Sequence, residues 1–125
     1  MAFADTESIT VTTNSSGDAT AYTTKEFSGP VRVAIYTKNN YANGVDFTIT
    51  GDVTGQTIWV GTDVNASTTV CPKQATHLNS SGAAALYASG GTAVLADVVL
   101  SNERIKVVVA QGGNATSGAF RFVVG

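Results

Sequence analysis

The sequence predicts an all-β fold: an antiparallel β-sandwich or jelly roll of about seven or eight strands. Three observations carry that prediction. Apolar and polar residues alternate over short stretches, the period of a half-buried strand. Clusters of Gly, Asn and Asp separate the stretches and read as turns, as in Asn14-Ser-Ser-Gly-Asp18 and Gly51-Asp-Val-Thr-Gly55. No segment longer than a turn or two carries the apolar repeat of an amphipathic helix. Two packed sheets satisfy this pattern best, and a closed barrel is the second choice.

Taken in order, Ile9 and Val11 alternate with Thr10 and Thr12 and predict a strand near residues 8–13. Met1–Glu7 reads as an N-terminal arm, with Phe3 in an otherwise small and polar setting, before a single sandwich domain over residues 8–125. A weaker extended stretch spans Thr20–Lys25. Pro30 opens the clearest strand of the front half, with Val31, Val33 and Ile35 on one face and Arg32, Ala34 and Tyr36 on the other. After the turn Asn39–Gly44, Val45, Phe47 and Ile49 fall in phase. Gln56–Val60 follows, with Ile58 and Val60 in phase and Trp59 on the opposite face.

Residues 66–92 differ. They hold Cys71-Pro72, Asn79-Ser-Ser-Gly82, Ala83-Ala-Ala-Leu-Tyr-Ala88 and Ser89-Gly-Gly91, and read either as an ordered long loop with one helical turn or as a poorly pairing strand. Long connections of this kind tend to be functional. Ala93–Leu100 is apolar except for Asp97 and reads as a strand covered on both faces. The chain closes with two stripes, Ile105/Val107/Val109 and Phe120/Phe122/Val124, joined by a Gly-rich connection from Gln111 to Gly118; this reads as a terminal hairpin. The expected core is Ile9, Val11, Val31, Val33, Ile35, Val45, Phe47, Ile49, Ile105, Val107, Val109, Phe120 and Phe122.

A chain of 125 residues is long enough for one core without disulfides or metal. Only 13% of residues are charged, the net charge is −2, and the Lys and Arg residues are scattered, so nothing suggests a phosphate-tracking face or nucleic-acid binding. No window reaches the ~20 apolar residues of a membrane span. The acidic opening lacks a secretory apolar core, so folding in the cytoplasm is expected. Cys71 is the only cysteine, and its Val70-Cys71-Pro72 setting predicts a small buried or half-buried side chain.

The search for chemistry yields no catalytic, cofactor or metal site. His77 has no partner at metal-ligand spacing, and nothing around Cys71 resembles a nucleophile motif. Nucleophile-elbow and phosphate-loop motifs are missing. Asp52, Asp63 and Asp97 could offer oxygen ligands to Ca²⁺, but solvated turn carboxylates are the better reading. Among the rings Tyr22, Tyr36, Tyr41, Trp59 and Tyr87, Tyr36 and Trp59 lie opposite the apolar stripes. They either line a sugar-binding groove or fill a second packed layer.

The run Asn102–Phe122, with the preceding Leu95-Ala-Asp-Val-Val-Leu100, resembles the end of small head-decoration (cement) proteins of tailed bacteriophages. The rest of the chain is similar to that family in size, in Thr/Ala/Gly-rich composition and in its lack of catalytic groups. The resemblance implies a non-enzymatic virion structural protein on the capsid exterior, made in the host cytoplasm. It would bridge subunits of the major capsid protein, as a homo-oligomer (dimer or trimer), with no nucleic acid, membrane or cofactor partner. Phe3 of the arm and Leu86 and Tyr87 of the Ala-rich run are the candidate interface residues. A carbohydrate- or receptor-binding sandwich module is the alternative.

Overall fold

The alternating stripes become two antiparallel sheets packed against each other, a β-sandwich. The computed structural model describes residues 4–75 and 95–125. The strands are β1 (Asp5–Thr12), β2 (Ala19–Tyr22), β3 (Phe27–Thr37), β4 (Val45–Gly51), β5 (Thr57–Val64), β6 (Thr68–Val70), β7 (Lys73–Ala75), β8 (Leu95–Asp97), β9 (Val99–Glu103), β10 (Ile105–Ala110) and β11 (Ser117–Val124). One sheet runs β1-β11-β3-β6, with β9 sharing the β6 side of β3; the other runs β2-β10-β4-β5; β7 and β8 form a separate ribbon. The described residues contain no helix.

These eleven strands exceed the expected seven or eight for two reasons. Residues 68–75 give both β6 and β7. The stretch expected to be covered on both faces breaks at buried Val98, leaving Leu95 59% and Val99 52% exposed.

The closing strands are not a hairpin. β10 pairs with β2 and β4, whereas β11 pairs with β1 and β3, so residues 111–116 cross from one sheet to the other. Each strand has one fully apolar face, Ile105/Val107/Val109 and Phe120/Phe122/Val124, and all six side chains are buried. Opposed sheets bury those stripes against each other; a hairpin would set them side by side. The crossing uses its glycines in two ways. Gly113 takes a positive φ of 97°, joined by the non-glycines Gln111 and Ala115. Gly118 instead makes room, since a Cβ there would overlap the Tyr41 ring. Tyr41 is thereby laid flat and donates its hydroxyl to the Val11 carbonyl at 2.6 Å, tying the β3–β4 turn to β1.

Two face assignments reverse, each at a bulge. In β3 the pairing steps from Val31↔Val124 to Val33↔Val123, one extra residue on β3. The inserted residue flips the strand's parity. Val31 is buried, but Val33 and Ile35 turn to the outer face, and Ala34 and Tyr36 enter the core in their place. In β5 the register skips between Ile49↔Trp59 and Thr50↔Thr57. Trp59 therefore points inward, edge-on to Phe47 at 4.8 Å, and Val60 is 53% exposed. The remaining expected core residues are buried, with Ile9 half-buried against them. Phe47, Tyr36 and Phe120 form the ring cluster at the centre, with centroids 4.9–5.3 Å apart.

The first strand begins at Asp5, not near Ser8. Asp5, Thr6 and Glu7 pair with Val124, Val123 and Phe122, so that part of the expected arm is ladder. β11 runs on to Val124 and supplies those partners.

Candidate interaction site

A two-sheet sandwich has two lateral sides where edge strands face each other across the core, and each must deal with unpaired backbone. On the first side, β1 and β2 are the edges, and Glu7 closes the gap. Its carboxylate accepts the Thr24 N–H at 2.8 Å, the Lys25 N–H at 3.0 Å and the Thr24 hydroxyl at 2.9 Å. Burial alone would raise this carboxyl. The donors from Thr24 and Lys25, together with the Lys25 charge, outweigh that and hold it below the ordinary glutamate value. Lys25 also bonds the Thr6 carbonyl and lies 3.5 Å from Asp5.

On the second side, β5 faces β9 and β6. One end is stapled by Glu103, which is 1% exposed. Its carboxylate accepts N–H groups from Val53 and Thr54 (both 3.0 Å) and Ser101 (3.2 Å), besides the Thr54 hydroxyl. Burial pushes this carboxyl up, but the same donors prevail and keep it lowered. Gln56 adds a 2.8 Å bond from its amide to the Val99 carbonyl.

Beyond the staple the sheets part. An open groove of about 580 Å³ runs between residues 57–60 of β5 and residues 70–73, where β6 turns into β7. Its walls carry Ile58, Trp59, Val60, Val70 and Pro72, with Lys73 as the one charged residue. Among the described residues β5 pairs with β4 alone, so its outer edge faces this groove unpaired. The edge is regular only over Trp59–Gly61, because register shifts bracket it on both sides. Gly61 is required there: a Cβ would press into the Phe47 ring, which lies directly beneath.

The far wall is anchored by charge. Lys73 and Asp97 stand opposite each other in the β7–β8 ladder and their side chains are hydrogen-bonded, while Arg32 of β3 reaches Asp97 at 3.5 Å. The Lys73 hydrogen bond, with the Lys73 and Arg32 charges, holds the Asp97 carboxyl below its usual range. The ribbon's base is thus fixed to β3, and residues 76–94 connect its two strands.

The sequence-predicted interface residues Phe3, Leu86 and Tyr87, and His77, lie outside the described residues. Cys71 is exposed, not buried as expected: Pro72 takes the inward position and the thiol faces out at the groove. Asp52 pairs with Arg104 at 3.0 Å and Asp97 with Lys73, so these carboxylates do not converge on one site, and no group of three potential metal ligands occurs among the described residues. Tyr36 is fully buried and leaves the set of candidate sugar-stacking rings; Trp59 remains, half-buried at the groove. Sequence reasoning missed Glu103. Its signal was its phase, two residues before Ile105 and in step with the inward stripe.

Comparison with known proteins returns no match to this chain among family models, curated proteins or solved structures.

Proposed function

We propose that this protein is a non-enzymatic virion structural protein, a decoration or cement protein that binds the outer capsid surface and stabilises it by bridging major capsid protein subunits. The observation that carries the reading is the open lateral groove, an unpaired, nearly uncharged edge strand beside a ribbon anchored by Arg32, Lys73 and Asp97. An apolar edge of this kind suits association through buried area and backbone pairing. Repeated docking on a symmetric shell multiplies modest contacts into stable binding, and homo-oligomers gain further from it. The resemblance of Leu95–Leu100 and Asn102–Phe122 to phage decoration proteins points the same way.

The test is to mix the purified protein with phage heads lacking their decoration protein and to image the particles by electron microscopy. Added density at regular capsid positions, with raised resistance of the heads to heat or chelation, is the expected result. Bare heads at saturating protein would reject the reading. A carbohydrate- or receptor-binding role is the second reading, favoured by the placement of Trp59 in the groove wall. Glycan-array binding abolished by Trp59→Ala would move the conclusion there.

A further inference from the structure

The turn entering β4 contains the pair Asn43-Gly44, the only Asn-Gly in the chain. Asn-Gly is the pair most prone to spontaneous deamidation, because glycine offers no side chain to hinder ring closure. Asn43 is exposed, and among the described residues its carboxamide has no hydrogen-bond partner. Asn14-Ser15, a slower pair of the same type, has its carboxamide tied up by the N–H groups of Ser16 and Asp18. By side chain alone, then, Asn43 is poised to react. What opposes it is the nucleophile: the Gly44 N–H donates to Asn65 Oδ1 at 2.7 Å.

We propose that Asn43 is a latent self-modification site and that Asn65 keeps it shut. In the reaction the Gly44 amide loses its proton to solvent base and its nitrogen attacks Asn43 Cγ. The C–N bond forms as ammonia leaves, giving a succinimide. Water then opens either carbonyl and yields Asp or isoaspartate at position 43. The balance is one water in and one ammonia out, with no redox change. The Asn65 carbonyl opposes the first two steps. It stabilises the protonated amide, so Gly44 must give up a hydrogen bond before its nitrogen can react.

The surrounding frame sharpens the consequence. Upstream, Tyr41 is pinned to Val11, and the Ala42 N–H bonds the Gly112 carbonyl; downstream, Val45 is fully buried. Isoaspartate would insert an extra backbone carbon between two fixed points, along with a negative charge one residue from Gly44, which the Asp63 carboxylate faces. Opening the clamp would therefore convert a tight turn into a strained one and loosen the tie between the sheets.

The experiment incubates native protein, Asn65→Ala and Asn65→Asp in mildly alkaline buffer and follows position 43 by peptide mapping, with the denatured chain setting the unrestrained rate. Asn65→Ala should deamidate roughly tenfold faster than native protein, the order of factor one hydrogen bond represents. Asn65→Asp keeps an acceptor and should stay near the native rate; Asn43→Gln should be silent. Equal rates in native protein and Asn65→Ala, or a native rate matching the denatured chain, would overturn the proposal. Should Asn65→Ala not fold, amide exchange in native protein decides: a protected Gly44 N–H supports the clamp, and exchange at the free-amide rate refutes it.

Discussion

The two lateral sides of the sandwich solve the same problem in opposite ways. Both bring edge strands from different sheets together, and both use a glutamate carboxylate to satisfy backbone N–H groups across the gap, Glu7 on one side and Glu103 on the other. The β1/β2 side is closed by Glu7 near the surface, with Lys25 and Asp5 beside it. The β5 side buries its staple at one end and opens into an apolar groove at the other. A fold that only needed to be stable could seal both. That one side stays open and nearly uncharged among the described residues is why we place association there.

The core common to both sides sets the scale of what can be lost. Phe122, fully buried on β11, should cost about 3–5 kcal/mol when replaced by alanine, through lost transfer free energy and the cavity left behind. Such a loss is a large part of the stability of an ordinary domain. A thermal or denaturant midpoint close to the parent's would show that the facing stripes of β10 and β11 do not form the core.

The two staples should differ next. Glu103→Ala leaves three inward N–H groups without an acceptor and should cost about 2–4 kcal/mol. Glu7→Ala exposes its donors to water and should cost no more than about 1 kcal/mol. Equal costs in urea titrations would mean that burial does not distinguish the sides. Acid sharpens the contrast. Both carboxyls are lowered from an ordinary value of 4.5 in the folded state. The ionised form is therefore the one the fold favours: its contribution is complete above that value and is lost as pH falls through the lower folded values. Stability should hold above that ordinary value and fall as the pH drops below it, and Glu103→Gln should flatten the drop more than Glu7→Gln.

Much of this architecture is written in local alternation. Val45/Phe47/Ile49, Ile105/Val107/Val109 and Phe120/Phe122/Val124 face inward as their spacing requires. What alternation cannot reveal is an inserted residue. The bulges at Arg32 and Ile58 leave composition unchanged yet invert the faces that follow, which moved Val33, Ile35 and Val60 outward and Ala34, Tyr36 and Trp59 inward. Nor does it say which strands become neighbours. A Gly-rich connection between two apolar stripes fits a hairpin and a sheet crossing equally well, and the choice lies in distant pairing, β10 with β2 and β4, β11 with β1 and β3. The open groove joins residues 57–60 to residues 70–73 through tertiary pairing, so no single stretch of sequence announces it.

Within the core, two neighbouring tyrosines offer a finer comparison. Tyr36 and Tyr41 stack with centroids 6.2 Å apart, and burial pushes each phenol up to about 12. Among the described residues only Tyr41 has a partner, the Val11 carbonyl; the Tyr36 hydroxyl is buried with none. Tyr41→Phe should lose about 1–2 kcal/mol, while Tyr36→Phe should be neutral or stabilise by up to about 1 kcal/mol, since it removes an unsatisfied polar group. A marked loss in Tyr36→Phe would reveal a hydrogen bond to that hydroxyl.

The smallest expected change in stability belongs to the open edge, and it decides what the difference between the sides is for. Val60 sits on the outer face of β5, in the short regular stretch between its bulges, opposite exposed Thr48. A lysine there meets water, not the core, so Val60→Lys should move stability by less than about 0.5 kcal/mol. The same charge on an edge strand is a known deterrent to pairing with another chain. Capsid binding, or self-association measured by sedimentation, should therefore fall sharply in Val60→Lys with the melting curve unchanged. Thr10→Lys, also an exposed change, on the closed edge strand β1, should leave both untouched. If Thr10→Lys abolishes association and Val60→Lys does not, the docking surface is on the closed side and the groove is only a seam in the sandwich.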